Sequence, residues 1–496
     1  MPRRHRALIV ASVMVVTVGV GSCSSSVRVV SSRPTETTVV GGSTTDAAGS
    51  IPAIGVDGGA MTTSTTTAML PLLPTVRLDV PDSPGGFAQD RGLSGGYGQD
   101  VVLVTSTEDG GPGSYRAALS GGDRIVRFDP SLDGATIDLS DDVLVGGSNI
   151  TLDGSGADVV ITGSATKFSG TNIIVAGMTY RDIHRTNDGD ALTFLDASET
   201  QVVGLYGNSL ATTTDGLVDF IWNNGHDVYV TICGNRFERH DKAMLINSGR
   251  DSREGGLYYV TLCHNAWSDI YQRTPLARDA RVHQYNSVFE RFGKPNGDGG
   301  GSKVGNGGDH AHQLLENNVA IPRADGEKTF DGSTVTAPRS EWAGPQVRGD
   351  GYVRATGSLL ETVGEVTATE VIQDPELVFM PDYQYDLVPA TPEMRDAVLE
   401  SAGRCVPAGD DHVIPCAPLL LREPGSTIVA IVDGDARSVL FVLDGKPLDA
   451  VADLGDGRWE LTLTTVHSTP GVLKVIAESL DGRAVTSDPV LVAVVP

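Results

Sequence analysis

TICGNRF (231–237) and TLCHNAW (261–267) state one phrase twice, 30 residues apart. Each has an apolar run, an Asn, any residue, then an apolar or aromatic side chain. LYGNSL (205–210), HQYNSV (283–288) and LLENNV (314–319) repeat it, with asparagines at Asn208, Asn235, Asn265, Asn286 and Asn317. The successive spacings of 27, 30, 21 and 31 residues are the size of one solenoid coil. Asn tolerates the left-handed backbone of a sharp corner, and stacked amides can hydrogen-bond from coil to coil. Leu210, Phe237, Trp267, Val288 and Val319 are then expected to point inward as one core column. Seven residues past the first two asparagines stand Asp215 and Lys242, and eight past the next two stand Arg273 and Lys294. A carboxylate, an ammonium and a guanidinium are thus expected in one lane on adjacent coils.

Working outward, RIVRFDP, ATIDL, NITLDG, DVVITG and NIIVAG are short β-branched runs with no long helical pattern between them. Short strands at these intervals favour parallel stacking over a meander. The 60 glycines and 5% aromatic content suit coils with several tight corners. The expected fold is all-β: a right-handed parallel β-helix (solenoid) over residues 86–404, closed by the segment that ends in PEMRDAVLESAGRC. A linker, 405–417, follows. Alternating strands with Asp-Gly turns then read as a small antiparallel β-sandwich of immunoglobulin-like type over 418–496.

The N-terminal end reads as an export signal. Arg3, Arg4, His5 and Arg6 precede ALIVASVMVVTVGV, a run short for a membrane span. Val20-Gly21-Ser22-Cys23 resembles a bacterial lipobox, which makes residues 1–23 a lipoprotein-type signal and Cys23 the lipidation site. Residues 24–85, rich in Ser, Thr, Gly and Ala, are expected to be a flexible tether. Such a chain works at the outer face of a bacterial membrane or as a secreted protein. In that oxidising setting Cys405 and Cys416 are expected to pair. Cys233 and Cys263 are expected to be stacked buried thiols rather than a bridge.

A net charge of −26 excludes general nucleic-acid binding. Residues 236–303 nevertheless carry 11 Lys/Arg against 8 Asp/Glu, a weak basic stretch on an acidic chain. Asp188-Gly-Asp190 and Asp215-Gly-Leu-Val-Asp219 supply hard oxygen donors with no His or Cys among them, which suits calcium over zinc. Asp-Gly pairs that merely make turns are the alternative. In a straight strand Asp215 and Asp219 would lie ~13 Å apart at ~3.3 Å per residue, so one ion requires a bend at Gly216. Lys242, Arg273 and Arg278 offer a point charge and two planar forks, a set suited to carboxylates spaced along a polymer.

GPGSYR, NITLDGSGADVVITG, GDAL, DGLVD, FERHDKAMLI and VTLCHNAWSDIYQRTPLAR follow in order over residues 95–320. In this the chain resembles the pectate lyase family of extracellular parallel β-helix enzymes. The resemblance implies calcium at Asp190, Asp215 and Asp219, with Asp188 as a helper. It implies Lys242 and Arg278 on substrate carboxylates, and Arg273 as the base that takes the C5 proton of an acidic polysaccharide, polygalacturonate, by a monomeric enzyme. A lyase on another uronate polymer, or a non-catalytic glycan-binding β-helix, are the other readings. Three departures stand out. Gly204-Leu205-Tyr206-Gly207 replaces the family's Trp-Ile-Asp-His phrase, Cys263 takes a place where His is common, and Asn247 takes one where Gly is usual.

Overall fold

The computed structural model describes residues 73–81, 85–185, 189–221, 225–248, 256–292, 304–308, 310–335, 352–362, 365–372, 379–409, 412–449 and 451–496. Cys23, Asp188 and Lys294 lie outside them. The strands from Asp100 to Thr362 stack as a parallel β-solenoid with three sheets. The first sheet runs through Ile150–Asp153, Ile173–Ala176, Gln201–Tyr206, Val228–Cys233, Tyr258–Cys263, Ala280–Tyr285 and His312–Glu316 in unbroken parallel register. The second contains Thr179–Ile183, Ser209–Ala211, the start of Arg236–Ile246, Ala266–Gln272 and Val288–Phe292. The third contains Thr166–Phe168, Leu192–Phe194, Gly216–Phe220, the end of Arg236–Ile246, and Thr274–Ala277.

Alternation along each strand sends every second side chain inward. Val203, Val230, Val260 and Val282 line the core of the first sheet, all fully buried. The third sheet stacks Phe168, Phe194 and Phe220, with ring centroids 5.4 and 4.6 Å apart. Full burial of such side chains contributes roughly 1.5–3 kcal/mol each, so the core is a set of like-on-like columns.

The asparagine ladder is present but shifts phase after Asn265. Asn208 Nδ2 donates to Asn235 Oδ1 at 2.9 Å, and Asn235 Nδ2 to Asn265 Oδ1 at 3.2 Å. The next rungs are Ser287 and Asn318, not Asn286 and Asn317. The Asn265 amide donates to Ser287 Oγ at 3.3 Å, and the Ser287 amide to Asn318 Oδ1 at 2.8 Å. Asn286 and Asn317 occupy the preceding place, at φ 43° and 47°, with Gly207 (60°), Gly234 (70°) and His264 (52°). The left-handed corner therefore belongs to the residue before the ladder. The inner column shifts with it and reads Leu210, Phe237, Trp267, Phe289, Ala320. Phe237, Trp267 and Phe289 stack at 4.4 and 5.9 Å. Val288 and Val319 point outward instead, and helix Pro392–Ser401 covers them with Met394, Ala397 and Val398. That helix starts where Thr391 accepts the Met394 amide and Pro392 occupies the first turn.

Three further expectations are corrected. Thr75–Leu78, inside the stretch read as a tether, is a strand pairing antiparallel with Thr427–Asp433. Leu78 enters the sandwich core with Ile428, Phe441, Leu461 and Val475. The sandwich is not wholly antiparallel, because Leu419–Arg422 runs parallel to Val490–Val494. Cys233 and Cys263, in exact register on adjacent coils, are joined as a disulfide. Cys405 and Cys416 form a second one, with Cα atoms 4.8 Å apart. Among the described residues no helix is long and apolar enough to cross a membrane.

Candidate functional site

The charged residues of the repeat gather at the opening edge of the third sheet. Gly216 aligns with Lys242, and Lys242 with Gln272. Asp215 and Arg273 therefore sit one residue to either side of a common lane rather than in it. Asp190 enters from the coil before, just ahead of strand Leu192–Phe194. Asp219 aligns with Thr193 and Leu245. Lining the outer face of its strand, it is still only 5% exposed, and Asp190 is 4% exposed.

Asp190 and Asp219 converge over Gly216. Asp190 Oδ1 accepts the Gly216 amide at 2.7 Å, and Asp190 Oδ2 accepts from Thr193 Oγ1 at 3.2 Å. Asp219 Oδ1 accepts the Leu245 amide at 3.2 Å. A Cβ on residue 216 would meet Asp219 Oδ1 at 2.5 Å and Asp190 Oδ1 at 2.8 Å. The glycine thus makes room for two carboxylate oxygens to approach one another. Burial, and after it the Asp190 carboxylate, push the Asp219 carboxyl well above its usual range, with Arg273 offsetting part of the effect. Two crowded, nearly buried carboxylates with oxygen-only donors fit a hard divalent cation. Asp215 is turned elsewhere, onto Lys242. Among the described residues no three or more His, Cys, Asp or Glu already sit together in metal-holding geometry.

Arg273 occupies a left-handed backbone position, φ 61°. Its Nη1 is buried, hydrogen-bonds nothing among the described residues, and lies 3.7 Å from Asp219 Oδ2. The residue beside it, Gln272, donates Nε2 to both oxygens of Asp241 at 3.1 Å. Arg278 Nη1 donates to the Asn247 carbonyl at 3.1 Å. Asn247 itself stands at φ 64°, the conformation that explains why glycine is usual there and why Asn is accepted.

His240 is a participant that motif reading passed over. It is 7% exposed, its Nε2 donates to the Asp215 carbonyl at 2.7 Å, and burial holds its pKa below the usual imidazole value. The sequence places it two residues ahead of Lys242 on the same face of one strand, but its reach back to Asp215 is made between coils. The other departures lie elsewhere. Gly204 and Tyr206 are on the first sheet, where Leu93 and Gln89 cover them. Cys263 packs in the same covered cluster with Tyr206, Cys233 and Cys416. Replacement of the Trp-Ile-Asp-His phrase therefore alters the covered first sheet and leaves the acidic lane on the third intact.

Residues 59–320, more than half of the chain, match the family model described as pectate lyase. Pectate lyase plyB of Emericella nidulans is 29% identical over 214 residues, 42% of this chain and 61% of that protein. A pectate trisaccharide-lyase of Thermotoga sp. (strain RQ2) is 24% identical over 232 residues, 43% of this chain and 59% of that protein. The chain thus spans about three fifths of the length of these curated relatives. A crystal structure of a pectate lyase from Bacillus sp. N165 in complex with trigalacturonate is 18% identical. It covers 64% of this chain and 98% of that one, with a TM-score of 0.45. The ordered motifs, the solenoid that stacks them and the match across residues 59–320 lead to one conclusion: this chain belongs to the pectate lyase family.

Proposed function

We propose that the chain is a polysaccharide lyase that cleaves pectate, the unesterified polygalacturonate, by β-elimination. One observation carries the reading: the Asp190–Asp219 pair beside an Arg273 guanidinium whose Nη1 has no hydrogen bond among the described residues. Arg273 lies 3.7 Å from Asp219 Oδ2, an ion pair that leaves the hydrogen-bonding capacity of this nitrogen unused. An acid pair made for a cation, beside a cationic fork, suits the carboxylate of a uronate sugar.

Asp190 and Asp219 are the proposed direct ligands of calcium, with Asp188 and, once released from Lys242, Asp215 completing the set. When bound there, the ion would draw charge from the sugar's C6 carboxylate and so make its C5 proton more acidic. Lys242 and Arg278 would hold neighbouring carboxylates of the polymer. Arg273 would take the C5 proton, the C–H electron pair would form the C4–C5 double bond, and the C4–O bond would break. The departing oxygen takes a proton from water. A guanidine accepts a proton only in its neutral form, which is scarce at neutral pH, so the rate should climb as pH rises. We also propose that the protein acts outside the cell, by way of the expected export signal and a lipid anchor at Cys23, as a monomer.

The test is incubation with polygalacturonate over a calcium series, followed by the ultraviolet absorbance of unsaturated product. Absorbance that grows with calcium and disappears on chelation is expected. None at any calcium concentration would sink the proposal.

A further inference from the structure

We propose that His240 is a positioning residue for this site, holding the Thr213–Gly216 turn so that Asp215 meets Lys242 and the Gly216 amide meets Asp190. The inference rests on the lyase reading and concerns a residue outside its ligand and base assignments. The turn carries two working groups, the Asp215 carboxylate and the Gly216 N–H. Within its own coil it is closed by Thr213 Oγ1 donating to the Gly216 carbonyl at 2.8 Å. The Asp215 amide reaches the Gly189 carbonyl at 3.3 Å. The Asp215 carbonyl is held from the following coil by His240 Nε2 at 2.7 Å, and the same nitrogen lies 3.0 Å from Thr213 Oγ1.

Two residues further along that strand is Lys242, which closes on the Asp215 carboxylate. One strand therefore grips the turn twice, by its backbone through His240 and by its side chain through Lys242. Without the imidazole, the Asp215 carbonyl loses this donor, and a turn that loses such a bond re-aims to find another. Re-aiming would move the Gly216 amide off Asp190 and so loosen the carboxylate pair above it.

The experiment compares full-length wild type with His240→Ala and His240→Gln; the glutamine amide offers an N–H donor at similar reach. Calcium binding is followed by titration calorimetry with calcium chloride alone, kinetics with polygalacturonate, and backbone opening by hydrogen exchange of the peptide spanning 213–217. In His240→Ala the calcium affinity is expected to fall about 10- to 100-fold, as for other residues that orient a ligand. KM should rise more than kcat falls, and exchange at 213–217 should quicken. His240→Gln should recover most of each. A packing role alone predicts a lower melting midpoint with calcium affinity, kinetics and local exchange unchanged, and that result overturns the proposal. So does a glutamine variant no better than alanine. Wild type that yields no unsaturated product would remove the lyase reading instead, while the exchange comparison would still decide the role of His240.

Discussion

Asp219 shows how the site sets binding against stability. Its carboxyl is raised by burial and by Asp190, so above the unfolded value near 3.8 the folded protein holds the proton more tightly. The folded state therefore loses stability as pH rises through that window, until a cation offsets the charge. Asp219→Asn keeps an oxygen for the Leu245 amide and removes the charge. In chelator at pH 7 it should be more stable than wild type by on the order of 1 kcal/mol, while calcium no longer raises its melting midpoint. Arg273→Ala should lower kcat by about a hundredfold or more, the usual worth of a positioned base, and, because it strips the buried Asp219 of its cationic neighbour, should also lower the melting midpoint in chelator. Full activity in that variant would exclude Arg273. His264 carries a separate pH dependence. Burial lowers its pKa to about 4, against 6.5 for the free side chain. Between those values the unfolded chain binds a proton that the folded one refuses. Stability is whole above pH 6.5 and declines toward pH 4, by at most about 3 kcal/mol from this group. Urea titrations at pH 7 and 5 should show the decline, and His264→Asn, which tolerates the same left-handed backbone, should flatten it.

At the level of elements, the strand Thr75–Leu78 ties together segments some 350 residues apart. Its pairing runs from Thr75 opposite Asp433 to Leu78 opposite Ala430, and the Asp79 amide extends it to the Val429 carbonyl at 2.7 Å. The C-terminal sandwich is thus built from two stretches of chain that flank the solenoid in sequence. Leu78→Asp would put a charge into the core shared by Phe441, Leu461 and Val475. It should cost about 3 kcal/mol or more, read as an earlier loss of near-ultraviolet signal from Trp459, which packs against that core. A stability equal to wild type would show that the strand is dispensable. The amide ladder makes a parallel case. Asn235 bonds above and below at once, accepting from Asn208 Nδ2 at 2.9 Å and donating to Asn265 Oδ1 at 3.2 Å.

For the molecule as a whole, coils contact only their neighbours, and stability would ordinarily be a sum of local terms. Here the closing helix seats on Val288 and Val319 of the solenoid and on Leu421, Ala493 and Val495 of the sandwich. Residues 69–496 form one compact unit. Calorimetry should therefore show a single unfolding transition, and two well-separated peaks would contradict a shared core. What the sequence determined by itself was the periodic part. Coil-sized repeats, the columns Leu210, Phe237, Trp267 and the motifs DGLVD, HDK and RTPLAR are local patterns, and parallel stacking carries local patterns directly into neighbouring positions. Tertiary structure alone decided whatever depended on register or on distant chain. One residue of phase moved the ladder from Asn286 to Ser287 and turned Val288 outward, because side chains alternate every residue and a single slip reverses a face. The joined Cys233 and Cys263, the strand at Thr75–Leu78 and the grip of His240 on Asp215 likewise arise between coils or between chain segments. No spacing within one segment encodes them.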